Sequence, residues 1–175
     1  MFLYNEVQKR EANQERVRVG LIGAGKFGSM FLSQAPFTIG LEVSSIVDIS
    51  VENAKKNCRD VGWTEEQIES VLFFDNLKKM ISQTKIDVLV EATGDPIEGT
   101  KHALIAIEQG LDIVMVNVEA DVLSGPYLAK EAEKAGIVYS MAYGDQPALT
   151  TELVEWARAS AVSYTHLTLP TIRWV

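Results

Sequence analysis

The stretch VRVGLIGAGKFGSMFLSQA, Val17 to Ala35, satisfies two phosphate-binding spacings at once. Counted from Gly20 it reads G-x-x-x-x-G-K, the opening of a P-loop. Counted from Gly23 it reads G-x-G-x-x-G, with Gly23, Gly25 and Gly28 in place. The P-loop reading fails at Phe27, because that motif needs Ser or Thr after its lysine to ligate magnesium, and a phenyl ring offers no oxygen to a hard cation. The second spacing demands a strand before the glycines and a helix after them. VRVGLI is valine-rich and lacks a helical period, whereas KFGSMFLSQA sets Phe27, Met30, Phe31 and Gln34 at helical offsets, three of the four apolar. In that order of elements Gly23 permits the tight turn, Gly25 lets the backbone approach a pyrophosphate, and Gly28 lets the helix pack close to the strand. The turn residues Ala24, Lys26 and Phe27 carry the backbone that meets the phosphates at the helix N-terminus.

Glycines also mark ordinary turns, so a partner residue decides. LEVSSIVDIS reads as a second strand, Leu41 to Val47, ending in Asp48, twenty positions after Gly28. An acid at the tip of the second strand is the group that hydrogen-bonds an adenosine ribose. Its carboxylate would repel a 2′-phosphate, which favours NAD over NADP. Lys55 and Lys56 lie close enough in sequence to keep NADP as an alternative.

The remaining strand-like runs are Val71 to Phe74, Ile86 to Ala92, Leu111 to Val118 and Ile137 to Ala142. Between them lie helical stretches, VENAKKNCRDVG, NLKKMISQT, PIEGTKHALIAIEQG and PYLAKEAEKAG. Pro96 and Pro126 fit first-turn positions, and Gly110 and Gly136 fall at helix ends. Such alternation predicts an α/β fold, a doubly wound parallel sheet of the Rossmann type with six strands in the order 3-2-1-4-5-6. Ligands of such a sheet sit outside the carboxyl ends of the strands, so GAGKFG, DIS, ATGDP, NVEAD and YGDQP are the segments of interest.

A chain of 175 residues buries one core and at most a fragment of a second domain. Its apolar content of 47% and charged content of 23% are ordinary for a globular protein. The formal charge of −8, with 16 scattered basic residues, argues against nucleic acid or an anionic membrane as partner. Cys58 is the only cysteine, which excludes an intrachain disulfide and a cysteine-rich metal site; it reads as structural. The opening apolar run is too short for a signal peptide, so the expected location is cytoplasmic.

Residues 1–16 read as a polar leader and residues 17–158 as the nucleotide-binding domain. ALTTELVEWARAS reads as a helix. Beyond it, VSYTHLTLPT, Val162 to Thr171, loses the helical period and resembles the conceptual translation of a transposase adapter used in making sequencing libraries. Residues 159–175, His166 among them, are therefore expected to be a non-native or truncated tail, with an exposed strand as the alternative. On this reading the substrate domain is missing.

At EATGDP, VNVEA and YSMAYGDQPAL the sequence resembles the nucleotide-binding domain of homoserine dehydrogenase and its relatives, over about Val17 to Arg158. The resemblance rests on the glycine fingerprint, on Glu91-Ala92-Thr93-Gly94 after the fourth strand, on Asn117 after the fifth and on Gly144-Asp145-Gln146-Pro147 after the sixth. It implies that Thr93 and Gly94, with Ala92 before them, line the nicotinamide ribose. It also implies that Asn117 and the Tyr143 to Pro147 loop approach the nicotinamide. Two departures point to another specificity. The family has a lysine directly after that asparagine, where this chain reads Asn117-Val118-Glu119, and the GDQP loop replaces a glycine-rich apolar one.

Other chemistry finds little support. His102 lies on a helical stretch between apolar neighbours and reads as packed or solvated. No cluster has metal-ligand spacing, no G-x-S-x-G elbow exists, and Tyr127 and Lys130 are three apart where a Tyr-x-x-x-Lys pair needs four. Glu119 and Asp145 are the candidate catalytic acids or bases, each also readable as a solvated loop acid or helix cap. Two function classes follow. One is the cofactor half of an NAD(P)-dependent oxidoreductase acting on a small-molecule substrate, a homo-oligomer through its missing domain. The other is a non-catalytic NAD-binding regulatory module.

Overall fold

The computed structural model describes residues 3–144 and 146–161. Residues to Met141 form one compact unit and those from Ala142 a second. The first unit is a six-stranded sheet, β1 (Val17–Ile22), β2 (Leu41–Val47), β3 (Leu72–Phe74), β4 (Val88–Glu91), β5 (Asp112–Met115) and β6 (Tyr139–Met141). The strands stand in the order β3-β2-β1-β4-β5-β6, every pair parallel. Its helices are α1 (Leu3–Ala12), α2 (Lys26–Gln34), α3 (Val51–Asp60), α4 (Glu65–Ser70), α5 (Leu77–Gln83), α6 (Pro96–Gln109) and α7 (Val118–Ala135), with one 3₁₀ turn at Ala35–Phe37. The second unit contains α8 (Gln146–Ala159), the helix expected from ALTTELVEWARAS, on which Leu149, Leu153 and Trp156 are exposed. The expected tail from Val162 onward, with His166, lies outside the described residues.

Strand alternation divides the core in two. Val19, Leu21, Ile46 and Val90 point to one face of the sheet and pack with Leu32, Ala54, Cys58, Trp63 and Ile68. Ile22, Val47, Leu89, Ile113 and Met115 point to the other and pack with Met80, Ala103, Ala106, Ala120 and Leu128. Both faces are covered, as a parallel sheet requires. The buried Trp63 indole donates to the Leu32 carbonyl at 2.8 Å, so its one polar atom is satisfied.

Most helix starts are set by side-chain caps. Ser50 caps α3, Thr64 and Gln67 form a reciprocal capping box on α4, Asn76 caps α5, Asp95 caps α6 ahead of Pro96, and Asn117 caps α7. Gly110 and Gly136 end α6 and α7, as expected.

Two expectations need correction, and two helices go beyond the sequence reading. The leader is a helix, α1, tied down where Glu11 accepts from Arg16 and from the Gly40 amide at 3.0 Å. The pair with Arg16 also holds the Glu11 carboxyl below its ordinary range. The third to sixth strands are shorter than their apolar runs, because the flanking residues turn toward helices. Pro126 does not open a helix: α7 begins at Val118, since the Asn117 cap is stronger than the proline signal. Pro126 removes an amide opposite the Val122 carbonyl, on an exposed face where water can take that carbonyl. Lastly, EEQIES forms α4, a helix too short for its period to show. No helix among the described residues is long and apolar enough to cross a membrane.

Candidate functional site

The carboxyl ends of β1, β2, β4 and β5 carry the residues singled out by the sequence. At the end of β1 the chain turns at Gly23, with φ +88°, and enters α2 through Gly25. A Cβ at Gly23 would come within 3.1 Å of the Ala92 and Thr93 backbone, and one at Gly28 would overlap the Gly23 carbonyl oxygen. Both glycines are therefore required by packing. Gly25 is different: a Cβ there would meet nothing within 4 Å. Gly25 is also the N-cap of α2 and supplies no capping side chain. The first turn of this nine-residue helix, exposed at Lys26 and Phe27 and buried at Gly28, is thus left without a side-chain cap, with the positive end of the helix dipole at its amides. Lys26 and Phe27 are exposed at the same turn, and Ala24 is buried beneath it.

Asp48 stands where the sequence placed it, just past β2, half-buried. Its Oδ2 accepts from the Ala24 amide at 2.8 Å and its Oδ1 from the Ser50 amide at 2.9 Å. It therefore braces the glycine turn directly, and each oxygen retains a further lone pair. Asn57, which sequence reasoning passed over, donates to the Ala24 carbonyl at 2.8 Å from α3. Lys55 lies 5.2 Å over the Phe73 ring, and Lys56 is exposed.

After β4, Ala92 is buried and its amide donates to the Ile22 carbonyl at 2.8 Å, joining this loop to β1. Thr93 and Gly94 are exposed, Gly94 with φ +76°. After β5, Asn117 is buried. Its Oδ1 accepts from the Ala120 amide at 3.1 Å, and its Nδ2 donates to the Asp95 carbonyl at 2.8 Å. The amide group expected to approach the nicotinamide spends its bonds inside the protein, joining the loops after β4 and β5. Glu119 is exposed in the first turn of α7. Asp145 and the side chains of Gln146 and Pro147 lie outside the described residues.

Two pairings that the sequence reading did not foresee lie close to these strand ends. Glu91, the last residue of β4, is wholly buried, and His102 of α6 approaches its Oε1 at 3.2 Å through Nδ1. The available signal was a carboxylate closing the apolar run VLVE. Nearby, the Tyr139 phenol donates to Asp121 at 2.8 Å. Burial pushes that phenol well above its ordinary range, with the Asp121 bond and the Glu91 charge adding to the shift, so Tyr139 holds its proton.

A groove of about 900 Å³ lies elsewhere in this unit, lined by Glu11, Arg16, Phe37, Glu42, Trp63 and Leu72 among others. No residue of the strand-end loops lines it, so its volume is not that of the candidate site. What the strand ends can do chemically is hold an anion at the α2 amides and hydroxyl donors at Asp48, which is the donor and acceptor set of a dinucleotide's pyrophosphate and ribose.

The family model of the homoserine dehydrogenase NAD-binding domain matches residues 19–142. No curated protein sequence matches the chain. Among solved structures, the chain is similar to the WlbA dehydrogenase of Bordetella pertussis in complex with NADH and UDP-GlcNAcA. The identity is 22%, over 83% of this chain and 42% of that one, with a TM-score of 0.61. It is also similar to the myo-inositol dehydrogenase of Lactobacillus casei in complex with NAD(H) and myo-inositol. Here the identity is 19%, over 80% of this chain and 42% of that one, with a TM-score of 0.60. The chain spans 42% of the length of either solved chain, and at these identities the likeness shows the fold.

Proposed function

The chain belongs to the homoserine dehydrogenase NAD-binding domain family, and from that premise we propose that it is the cofactor-holding part of an NAD-dependent oxidoreductase. The reaction is hydride transfer between the nicotinamide and a hydroxyl-bearing or carbonyl carbon of a small polar substrate. When bound, NAD supplies the hydride chemistry at its nicotinamide ring. The chain's own residues bind and orient. The amides of Lys26, Phe27 and Gly28, opened by Gly25, hold the pyrophosphate, and the free lone pairs of Asp48 accept from the adenosine ribose hydroxyls. Thr93 and Gly94 line the nicotinamide side. Glu119, exposed beside the Asn117 cap, is the carboxylate available to take or give a proton at the substrate. It stands next to Val118, where the family carries a lysine, and this supports a substrate other than homoserine, one that tolerates an anion at that edge.

The observation that carries this reading is the uncapped, open N-terminus of α2 beside Asp48. Calorimetric titration of the chain with NAD, NADH and NADP tests it. We expect saturable one-site binding, with NAD or NADH tighter than NADP. A folded chain that binds neither NAD nor NADH overturns it.

A further inference from the structure

Glu91 has 0% exposure at the end of a central parallel strand, a costly place for a carboxylate unless its position is used. Its Oε1 is shared by three groups. The Thr93 hydroxyl reaches it at 2.5 Å, the Thr93 amide at 3.4 Å and His102 Nδ1 at 3.2 Å. Its Oε2 is buried with no hydrogen-bond partner. Glu91 therefore does not sit there to saturate its own bonding; one oxygen carries every contact, and the sharpest of them is to Thr93. At 2.5 Å this is a short hydrogen bond, in which the Thr93 hydroxyl donates.

A hydroxyl has one proton and two lone pairs. The Thr93 proton is committed to Glu91. The other described groups around Thr93 Oγ1, the Asn117 Nδ2 and the Asp95 amide, are donors at 3.4 Å, long enough to yield to a better one. His102, only 17% exposed in its side chain, carries hydrogen on Nδ1 if it bonds a carboxylate, and this contact converges on the same Glu91 oxygen. Thr93 itself is exposed at the carboxyl edge of the sheet.

We infer that Glu91, backed by His102, is a positioning residue that locks the Thr93 hydroxyl as an acceptor, so the ligand atom facing Thr93 is a hydrogen-bond donor. This rests on the NAD reading, and it deepens it. The donors on the nicotinamide half of that ligand are the ribose hydroxyls and the carboxamide NH₂. A glutamine at position 91 keeps the shape but can present its own NH₂ to Thr93 Oγ1, turning the Thr93 proton outward and reversing the polarity of the site.

The test is calorimetric titration of wild type, Thr93→Val, Thr93→Ser and Glu91→Gln with NAD, ADP-ribose and ADP. Thr93→Val is expected to weaken NAD binding roughly fivefold to tenfold, the worth of one well-made hydrogen bond. Thr93→Ser is expected to restore it, Glu91→Gln to resemble Thr93→Val, and ADP to bind all four alike. ADP-ribose follows NAD if the donor is a ribose hydroxyl and stays unchanged if it is the carboxamide. Nitrogen-15 spectra of His102 add a signature that a general loss of stability would not move: hydrogen on Nδ1 in wild type, redistributed in Glu91→Gln. NAD affinity within twofold of wild type for Thr93→Val overturns the inference while leaving the NAD reading intact. Should Glu91→Gln not fold, the valine and serine pair still decides. A wild type that binds ADP but not NAD overturns both.

Discussion

Gly25 offers a substitution that should move stability and binding in opposite directions. It is the N-cap of α2 at φ −70° and ψ −152°, extended backbone at negative φ, and a Cβ there meets nothing within 4 Å. Aspartate at an N-cap improves on glycine by a few tenths of a kcal/mol through a bond to the next amides. Replacing glycine also narrows the unfolded ensemble, worth about 0.4–1 kcal/mol where the native backbone is compatible. Gly25→Asp should therefore stabilise by about 1 kcal/mol, a rise of roughly 3 °C in the thermal midpoint for a unit of this size. The same carboxylate would occupy the place of the pyrophosphate. Two unit charges about 4 Å apart at an effective dielectric near 20 repel by about 4 kcal/mol. Even a third of that is about a tenfold loss of affinity. Thermal unfolding and NAD calorimetry on one preparation check both signs, with Gly25→Ser as the uncharged control that gains stability with a smaller loss of affinity. Unchanged NAD affinity in a stabilised Gly25→Asp protein would refute the pyrophosphate site. A fall of several degrees would refute the claim that the cap position opens on empty space.

Two further outcomes follow from named contacts. Asp48→Ser removes the acceptors of the Ala24 and Ser50 amides as well as the charge facing a 2′-phosphate. It should lower NAD affinity and narrow the NAD over NADP preference together, and tighter NADP than NAD binding by the unaltered chain would contradict it. Burial lifts the Cys58 thiol from 9.0 to about 11. A raised acidic group contributes stability that is fully present below its unfolded value and is lost as pH rises through the folded one. Stability should thus decline between about pH 9 and 11, less so in Cys58→Ala, and the native thiol should resist aromatic disulfide reagents at pH 8. Rapid labelling of the native protein would show the site to be open.

The parts of this fold legible in the sequence were those governed by local rules. The first two strands match their sequence-predicted bounds to the residue, because β1 ends at a glycine that must turn and β2 at an acid that leaves the sheet. Gly110 and Gly136 end their helices because the chain there takes a left-handed step. The later strands read too long because a fully buried parallel strand and the apolar residues flanking it carry no alternation to mark an edge. Pro126 misled for a related reason. Proline at a first turn is a strong local signal, but the Asn117 cap lies nine residues earlier, and only tertiary packing of Ala120 and Leu128 shows that the helix runs through. Glu91 and His102 lie eleven positions apart on different elements, and no spacing rule connects a strand end to the middle of the next helix.

What the structure adds most is the way the strand-end loops are bonded to each other. The turn after β1 rests on the loop after β4, because Gly23 lies against the Ala92 and Thr93 backbone. That loop is held from below by Glu91 and from the side by Asn117, whose Nδ2 takes the Asp95 carbonyl. Gly99 makes the latter contact possible, since a Cβ there would overlap the Asn117 amide and come within 2.8 Å of Ala120. The turn is braced again from β2 by Asp48 and from α3 by Asn57. A ligand settling on this edge therefore meets backbone already fixed in place, and little ordering cost offsets its binding. The groups not consumed by this bracing are the α2 amides opened by Gly25, the remaining lone pairs of Asp48 and the outward side of Thr93. An anion, a pair of hydroxyl donors and one further donor satisfy them in turn, and a nicotinamide dinucleotide carries all three, its pyrophosphate lying between the adenosine ribose hydroxyls and the donors of the nicotinamide half.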